Sequence, residues 1–334
     1  MQTVEPVEPV EPVESAVRFV DAGTVAHNLP FPELIGALRR AFTATDLVAP
    51  ARNHYGLDAL GASNPVLLSM PAWSSRLGIG TKLVTVYPDN HKLGLPSIHG
   101  LYVLMDAATG RPEAVLDAGE LTARRTAATS ALASSFLSRP DSQTLLMVGT
   151  GRLARVLPLA HAAVRPLQRV LVWGRTADKA QQTAQFLQSQ GLAAEPVESL
   201  ERACAQADII SCATLSNQAI LAGDWLKPGT HVDLVGAFTP RMREADDRVL
   251  ARADAVWCDT KQGVVAEGGD IIQALASGAL DAKRICGELA DLCRAGQAQP
   301  RAQGHITVFK SVGAALQDLA ASRLCLDRLT AQPV

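Results

Sequence analysis

Gln143 to Thr176 reads QTLLMVGTGRLARVLPLAHAAVRPLQRVLVWGRT, and this stretch decides the fold. Thr144 to Val148 is an apolar run long enough for a buried parallel strand and too short for a helix. It runs directly into Gly149-Thr150-Gly151-Arg152-Leu153-Ala154, the G-x-G-x-x-(G/A) form of a dinucleotide fingerprint. A helical pattern follows (Leu153, Val156, Leu157, Ala160), then a second strand from Arg169 to Trp173. The glycines let the chain turn tightly and bring backbone amides against a pyrophosphate, which rests on the positive end of the helix. A plain glycine turn in another α/β domain would show the same three glycine-type positions. The strand-turn-helix-strand context is what makes this stretch a nicotinamide dinucleotide site, with Gly149, Thr150, Gly151, Arg152 and Leu153 against the cofactor.

The end of the second strand bears on which dinucleotide binds. An NAD site places a carboxylate there, about 20 residues past the fingerprint, to accept from the ribose 2′-hydroxyl. This chain has Gly174, Arg175 and Thr176 instead. A planar, permanently charged guanidinium beside a hydroxyl suits a 2′-phosphate. The expectation is NADPH, with NADH as the alternative if Asp178 serves the ribose.

A length of 334 residues implies about two domains. A net charge of −2, with no basic block, gives no field that favours nucleic acid. The six cysteines (Cys204, Cys212, Cys258, Cys286, Cys293, Cys325) contain no C-x-x-C and no zinc spacing with the histidines, so they read as buried thiols in a reducing cytosol, with no metal site. No apolar run approaches the ~20 residues of a membrane helix. The acidic N-terminus lacks the basic and apolar regions of a secretion signal, and a cytoplasmic location is expected.

Val4 to Glu14 repeats Val-Glu-Pro, which favours an extended, solvated chain, so residues 1–15 are set aside as a disordered tail. From Ala16 to about Gly119 the pattern is mixed. Phe31 to Thr43 reads as an amphipathic helix; Pro65 to Met70, Gly78 to Tyr87, Gly100 to Met105 and Ala114 to Leu116 read as strands of an antiparallel sheet. Leu121 to Leu137 is an alanine-rich helix that hands the chain to the fingerprint strand. Beyond Thr176 the pattern alternates, with strands at Asp208 to Cys212, His231 to Val235 and Ala255 to Cys258. Helices are expected at Asp178 to Gln190, Glu244 to Arg252, Asp270 to Ser277 and Ala282 to Ala295. Such alternation specifies a doubly wound parallel sheet. A last strand at Ile306 to Val308 precedes a long final helix, Val312 to Leu329, expected to return to the first domain.

Several charged residues stand where packing alone would not put them. Lys82 shares a strand face with Gly80, Val84 and Val86, and a lysine on an apolar face is costly unless paired or facing a ligand. The alternative is an edge position where its stem reaches water. Arg125 lies in a helical run of small residues that leaves room for something to approach it, or else on the solvated face. Arg52 is uninformative by pattern. Asp233 sits in a core strand near its carboxyl end, where open α/β sheets bind ligands; it is a candidate for proton transfer, or else a structural acid. His54 and His99 lie near these residues in sequence.

Taken together these segments resemble the ornithine cyclodeaminase/mu-crystallin family. The resemblance rests on Gly80-Thr81-Lys82-Leu83-Val84-Thr85, Pro88-Asp89-Asn90, Leu95-Pro96-Ser97, Leu121 to Ala128, Val148 to Gly151, His231-Val232-Asp233 and Ile306 to Gly313. It implies a Rossmann domain (128–308) inserted into an α+β substrate-binding and dimerisation domain (16–127 with 309–334), and a homodimer. It further implies that Arg52, Lys82 and Arg125 hold a substrate carboxylate, with Lys82 close to the reacting carbon and Asp233 handling the proton at the reacting nitrogen. His54 and Ser97 are expected to line the substrate pocket, and Thr214 and Ser311 the cofactor. Three cations around one carboxylate would fix the α-carbon for hydride transfer.

The family holds several activities. Ornithine cyclodeaminases carry an acid just before a Met-Pro pair, whereas this chain reads Leu68-Ser69-Met70-Pro71-Ala72-Trp73. That wall suits a cyclic ketimine, and the chain looks more like the ketimine reductase branch. The expected reaction is NAD(P)H-dependent reduction of Δ1-pyrroline-2-carboxylate and/or Δ1-piperideine-2-carboxylate to L-proline or L-pipecolate. The alternatives are ornithine cyclodeaminase, another amino-acid dehydrogenase, and a non-catalytic NADPH-binding protein of the crystallin kind.

Overall fold

Two hydrophobic periodicities, one of alternating residues and one of continuous apolar runs, divide the chain between two sheets. The computed structural model describes residues 16–60, 64–296, 302 and 304–331; the Val-Glu-Pro stretch lies outside them. The first sheet contains β1 (Arg18–Val20), β2 (Asn53–Gly56), β3 (Val66–Ser74), β4 (Gly78–Val86), β5 (Ile98–Met105) and β6 (Pro112–Asp117), in the order β1-β6-β5-β4-β3-β2. Its pairing is antiparallel from β2 to β6, as expected for β3 to β6; β2 and β1 were not anticipated, and β1 adds to the other edge in parallel. Along β4, Gly80, Lys82 and Val84 face inward while Ile79 and Leu83 point out and are exposed. Residues alternate faces in a pleated strand, so this is the period-two pattern made physical.

The inner face is covered by α1 (Ala22–Asn28), α3 (Ala118–Leu137) and the last helix of the chain, Ala315–Ala331, while α2 (Phe31–Thr43) packs on the last two. In α2, Phe31, Leu34, Leu38 and Phe42 recur at helical spacing and are buried, and a proline in the first turn starts the helix without losing a needed donor. α3 begins three residues before the expected Leu121, because the Asp117 carboxylate caps it by accepting from the Glu120 amide at 2.6 Å. It packs on both sheets and is buried over most of its length.

The second sheet is all parallel: β7 (Thr144–Val148), β8 (Arg169–Trp173), β9 (Ala194–Pro196), β10 (Ile209–Cys212), β11 (His231–Leu234), β12 (Ala255–Cys258), β13 (Ile285–Glu288) and β14 (Thr307–Lys310). The order is β13-β12-β14-β11-β10-β7-β8-β9. Alternate residues of β7 enter different cores, Leu145 and Met147 on one side, Leu146 and Val148 on the other, which is why the strand reads as an unbroken apolar run. Its connections carry α4 (Leu157–Ala162), α5 (Ala177–Ser189), α6 (Leu200–Cys204), α7 (Asp247–Arg252), α8 (Lys261–Glu267), α9 (Gly269–Ser277) and α10 (Leu289–Ala295); the last helix is α11. The strand order reverses between β7 and β10, and a doubly wound sheet takes its ligand outside the carboxyl ends of the strands at that switch.

The fold is therefore α/β, a doubly wound parallel sheet beside a mixed sheet that α11 rejoins. Three expectations need correction. Ala282 to Ala295 is not one helix: a 3-10 turn and β13 come first, and α10 starts only at Leu289, where Glu288 and Asp291 form a reciprocal cap. The helical pattern after the fingerprint is broken too, into a turn at Leu153–Arg155 and the short α4, which has a proline in its first turn. Of the six cysteines, Cys286 is exposed while the other five are buried. Among the described residues no helix is long and apolar enough to cross a membrane.

Candidate active site

At the switch point the fingerprint makes a tight cradle. Gly149 has φ +123°, and a Cβ there would stand 2.6 Å from the Ala213 carbonyl at the end of β10, so only glycine fits. Gly151 faces open space, which leaves its backbone clear for a pyrophosphate. Thr150 is half-buried with its methyl against Gly174. Leu153 is half-buried against the core. Arg152 turns back to the start of α3, donating to Glu120 at 2.8 Å with Asp117 at 4.0 Å. Arg175 and Thr176 are exposed where β8 gives way to α5.

The neighbouring strand ends are tied by an acid that pattern reading missed. Glu244 accepts from the Thr214 amide and hydroxyl at 2.6 and 2.9 Å and from the Gly236 amide at 2.6 Å. Its own amide donates to Asp270, whose other oxygen lies 3.1 Å from Lys310 in a fully buried pair. Burial pushes the Glu244 carboxyl up to about 7, Lys310 opposing and Asp270 adding to the rise. Thr214, expected at the cofactor, is thus already engaged on its donor side. Ser311 is buried at the carboxyl end of β14, with its amide donating to Leu234 of β11.

The second cluster joins the mixed sheet to α3 and α11. Lys82 Nζ donates to Asp318 at 2.8 Å and approaches Thr122 at 3.4 Å. Arg125 Nε donates to the other Asp318 oxygen at 3.0 Å, and Nη1 to Gln317 at 2.7 Å. Lys82, Arg125 and Asp318 are all buried. Burial brings the Lys82 ammonium down to about 7, with Asp318 opposing and Arg125 contributing. The Asp318 carboxyl sits below its usual range: burial alone would raise it, but Arg125 and Lys82 together outweigh burial.

Arg52 approaches from the segment before β2. Its Nη2 donates to the Val312 and Gly313 carbonyls at 2.9 and 2.5 Å, and its Nε lies 3.2 Å from Glu267 at the end of α8. Gly313 has φ +84°, and a Cβ there would stand 2.6 Å from Arg125 Nη1, so the loop after β14 touches both arginines. Asp259 holds the same loop from the other side, accepting the Val312 and Gly313 amides at 3.1 and 2.7 Å. Arg52 Nη1 and Arg125 Nη2 have no protein partner among the described residues. One carboxylate shared by two buried cations leaves one positive charge, and spare guanidinium donors beside it can receive an anion in bidentate fashion.

Arg52 and Arg125 are thus drawn around a single loop, and Lys82 is joined to Arg125 through Asp318. Asp233, expected to handle the proton at the reacting nitrogen, is not with them. Its carboxylate is fully buried, accepting from Ser130 at 2.9 Å and Ser211 at 2.6 Å, with His161 at 3.5 Å. Both oxygens are engaged by the protein, and the side chain braces α3 and α4 against the sheet. His54 is exposed and meets Glu267 at 3.4 Å. Ser97 is half-buried before β5, its carbonyl accepting from the Tyr87 amide. Asp318 was the residue to look for, because two buried cations demand an anion; a Gln-Asp pair within an alanine-rich helix was the visible signal.

The family model for ornithine cyclodeaminase/mu-crystallin matches residues 23–332. A Δ1-pyrroline-2-carboxylate reductase of Paracoccus denitrificans is 39% identical over 306 residues, 91% of this chain and 95% of that one. The Δ1-pyrroline-2-carboxylate reductase of Thermococcus litoralis, solved with NADH and L-proline, superposes with a TM-score of 0.88 at 29% identity, covering 94% of this chain and 98% of that one. The iminosuccinate reductase of Paracoccus denitrificans, solved with NAD+, gives 0.83 at 27% identity over 94% and 96%. The chain belongs to the ornithine cyclodeaminase/mu-crystallin family.

Proposed function

We propose that this protein is an NAD(P)H-dependent ketimine reductase that converts Δ1-pyrroline-2-carboxylate, Δ1-piperideine-2-carboxylate or both to L-proline and L-pipecolate. The observation that carries the reading is the buried Lys82–Asp318–Arg125 cluster, one positive charge in excess, with Arg52 beside it. It matches a monocarboxylate. The spare donors of Arg52 and Arg125 hold that carboxylate, and Lys82 stands next to them. The cradle at Gly149 to Gly151 fits a dinucleotide, which when bound supplies hydride to the imine carbon. Reduction of C=N also consumes a proton at nitrogen. With Asp233 engaged by Ser130 and Ser211, Lys82 is the proton donor, since a group near 7 holds and releases a proton at neutral pH.

NADPH is the preferred cofactor in this reading, because Arg175 is exposed beside Thr176 at the end of β8, where a 2′-phosphate would lie. The enzyme works as a homodimer, since Phe19, Trp73, Ile79, Leu83 and Leu101 expose a broad apolar surface on the outer face of the mixed sheet. Light scattering should report a dimer for the native protein and a monomer for Leu83→Glu; a native monomer overturns that part. Six cysteines without disulfides fit a cytoplasmic enzyme.

The test is NADPH oxidation with each cyclic imine, beside a reaction with ornithine and NAD assayed for ammonia. Imine-dependent NADPH loss without ammonia establishes the reductase and ranks ring size and cofactor. Ammonia and proline from ornithine, with no net change in NAD, would make the protein a cyclodeaminase instead.

A further inference from the structure

Glu267 closes α8, and its carboxylate reaches the substrate clamp, Oε2 to Arg52 Nε at 3.2 Å and Oε1 to His54 Nε2 at 3.4 Å. The Arg52 approach is an ion-pair contact and not an aligned hydrogen bond, so Oε2 is buried without a hydrogen-bond donor. Arg52 is meanwhile oriented by the Val312 and Gly313 carbonyls, which accept from Nη2. The division of labour is clear: the loop carbonyls fix the guanidinium in place, and Glu267 cancels its charge.

We propose that Glu267 sets the net charge of the substrate pocket and so selects monocarboxylate imines over dicarboxylate imines. This rests on the reductase reading above. Three cations (Lys82, Arg52, Arg125) face two carboxylates (Asp318, Glu267), while Asp259, on the other side of the loop after β14 and also within reach of the Arg52 charge, is taken up by the Thr260, Val312 and Gly313 amides; on the clamp side that leaves a single positive charge for the ligand. One substrate carboxylate neutralises the pocket. A second would enter a site with no cation left over and would meet Glu267 itself. The Glu267 and Arg52 side chains are only 19% and 13% exposed, so their charges are incompletely screened. A repulsion of this kind, across several ångströms at a partly wet site, is worth about a tenfold preference.

Glu267→Gln keeps the shape and deletes the charge. Inhibition constants of L-proline and of pyrrolidine-2,5-dicarboxylate, the same ring with a second carboxylate, are compared in native protein and variant with NADPH bound. KM is measured alongside for Δ1-pyrroline-2-carboxylate and for iminosuccinate formed in place from oxaloacetate and ammonium. The expected result is a shift of about tenfold in both ratios toward the dicarboxylate, carried by KM and the inhibition constants. An equal rise in KM for both substrates would mean that Glu267 only seats Arg52, and would overturn the proposal; so would an unchanged ratio. Native protein that binds the dicarboxylate as tightly as L-proline overturns it without any variant. Native protein that binds NADPH and L-proline but reduces no imine defeats the reductase reading alone, because the binding ratios still decide the role of Glu267.

Discussion

Asp318→Asn should be the most damaging single change in the molecule, and its cost can be worked from the geometry. The carboxylate is fully buried and shared, 2.8 Å from Lys82 and 3.0 Å from Arg125. Removing one partner of a buried ion pair costs about 3–5 kcal/mol, mostly because the surviving charge is left uncompensated. Here two cations lose their anion at once, so the upper half of that range applies. At about 2 °C per kcal/mol for a chain of this size, the melting temperature should fall by roughly 8–10 °C. The sign of the pH effect follows from Lys82. Its folded value is below its unfolded one, so the charged form is disfavoured in the fold; the penalty is full below about 7 and relaxes as pH rises and the proton leaves. Thermal unfolding of the NADPH complex at pH 6.5 and pH 8.5 is the assay, with L-proline present or absent. The ligand carboxylate should restore more stability to the variant than it adds to the native protein. The double variant Asp318→Asn/Lys82→Met should be more stable than the single one, because an absent charge needs no partner. A fall under about 2 °C, or a double variant less stable than the single, would refute the reasoning.

The other expectations concern activity. With the imine as substrate, kcat/KM should decline as pH passes about 7, where Lys82 loses its proton, and Lys82→Arg should abolish that break; a break that survives places the titrating group elsewhere. Gly313→Ala forces a side chain into a φ of +84° and against Arg125, so KM for the imine should rise about tenfold, a shift of about 1.4 kcal/mol, while NADPH affinity holds. An unchanged KM would show that the loop does not seat the guanidinium. Arg175→Asp should weaken NADPH far more than NADH in direct titrations; equal losses would remove the 2′-phosphate from that strand end.

The nucleotide half was legible because its chemistry is local. Strands buried on both faces read as apolar runs at Leu145 to Val148 and Val170 to Val172, and Gly149 announces a turn that only glycine makes. Lys82 was legible as an anomaly of period. What failed was everything that depends on a distant partner. An aspartate in a strand looks the same whether it faces a ligand or two serines, and Asp233 meets Ser130 from 103 residues away. Asp318 lies 193 and 236 residues from the cations it serves, on a helix that also carries Arg323, Asp327 and Arg328, so one more acid there does not stand out. Glu267 and Glu244 read as ordinary acids near helix ends. β13 was lost because Ile285-Cys286-Gly287 is too short to show alternation between two helical stretches.

The three residues after β14 carry a consequence for how two ligands share one protein. Ser311 belongs to the rim of the parallel sheet, and Val312 and Gly313 hold Arg52 by their carbonyls while Arg125 lies against Gly313. A displacement of that rim by a few tenths of an ångström moves both guanidinium groups. On the proposed reading, with the nucleotide at that rim and the imino acid on the guanidinium groups, the two would be thermodynamically linked: whatever factor the first adds to the affinity of the second is returned in full by the second to the first. A ternary complex would form cooperatively from either direction, and a truncated ligand that fails to settle the rim would forfeit affinity at a site it never touches.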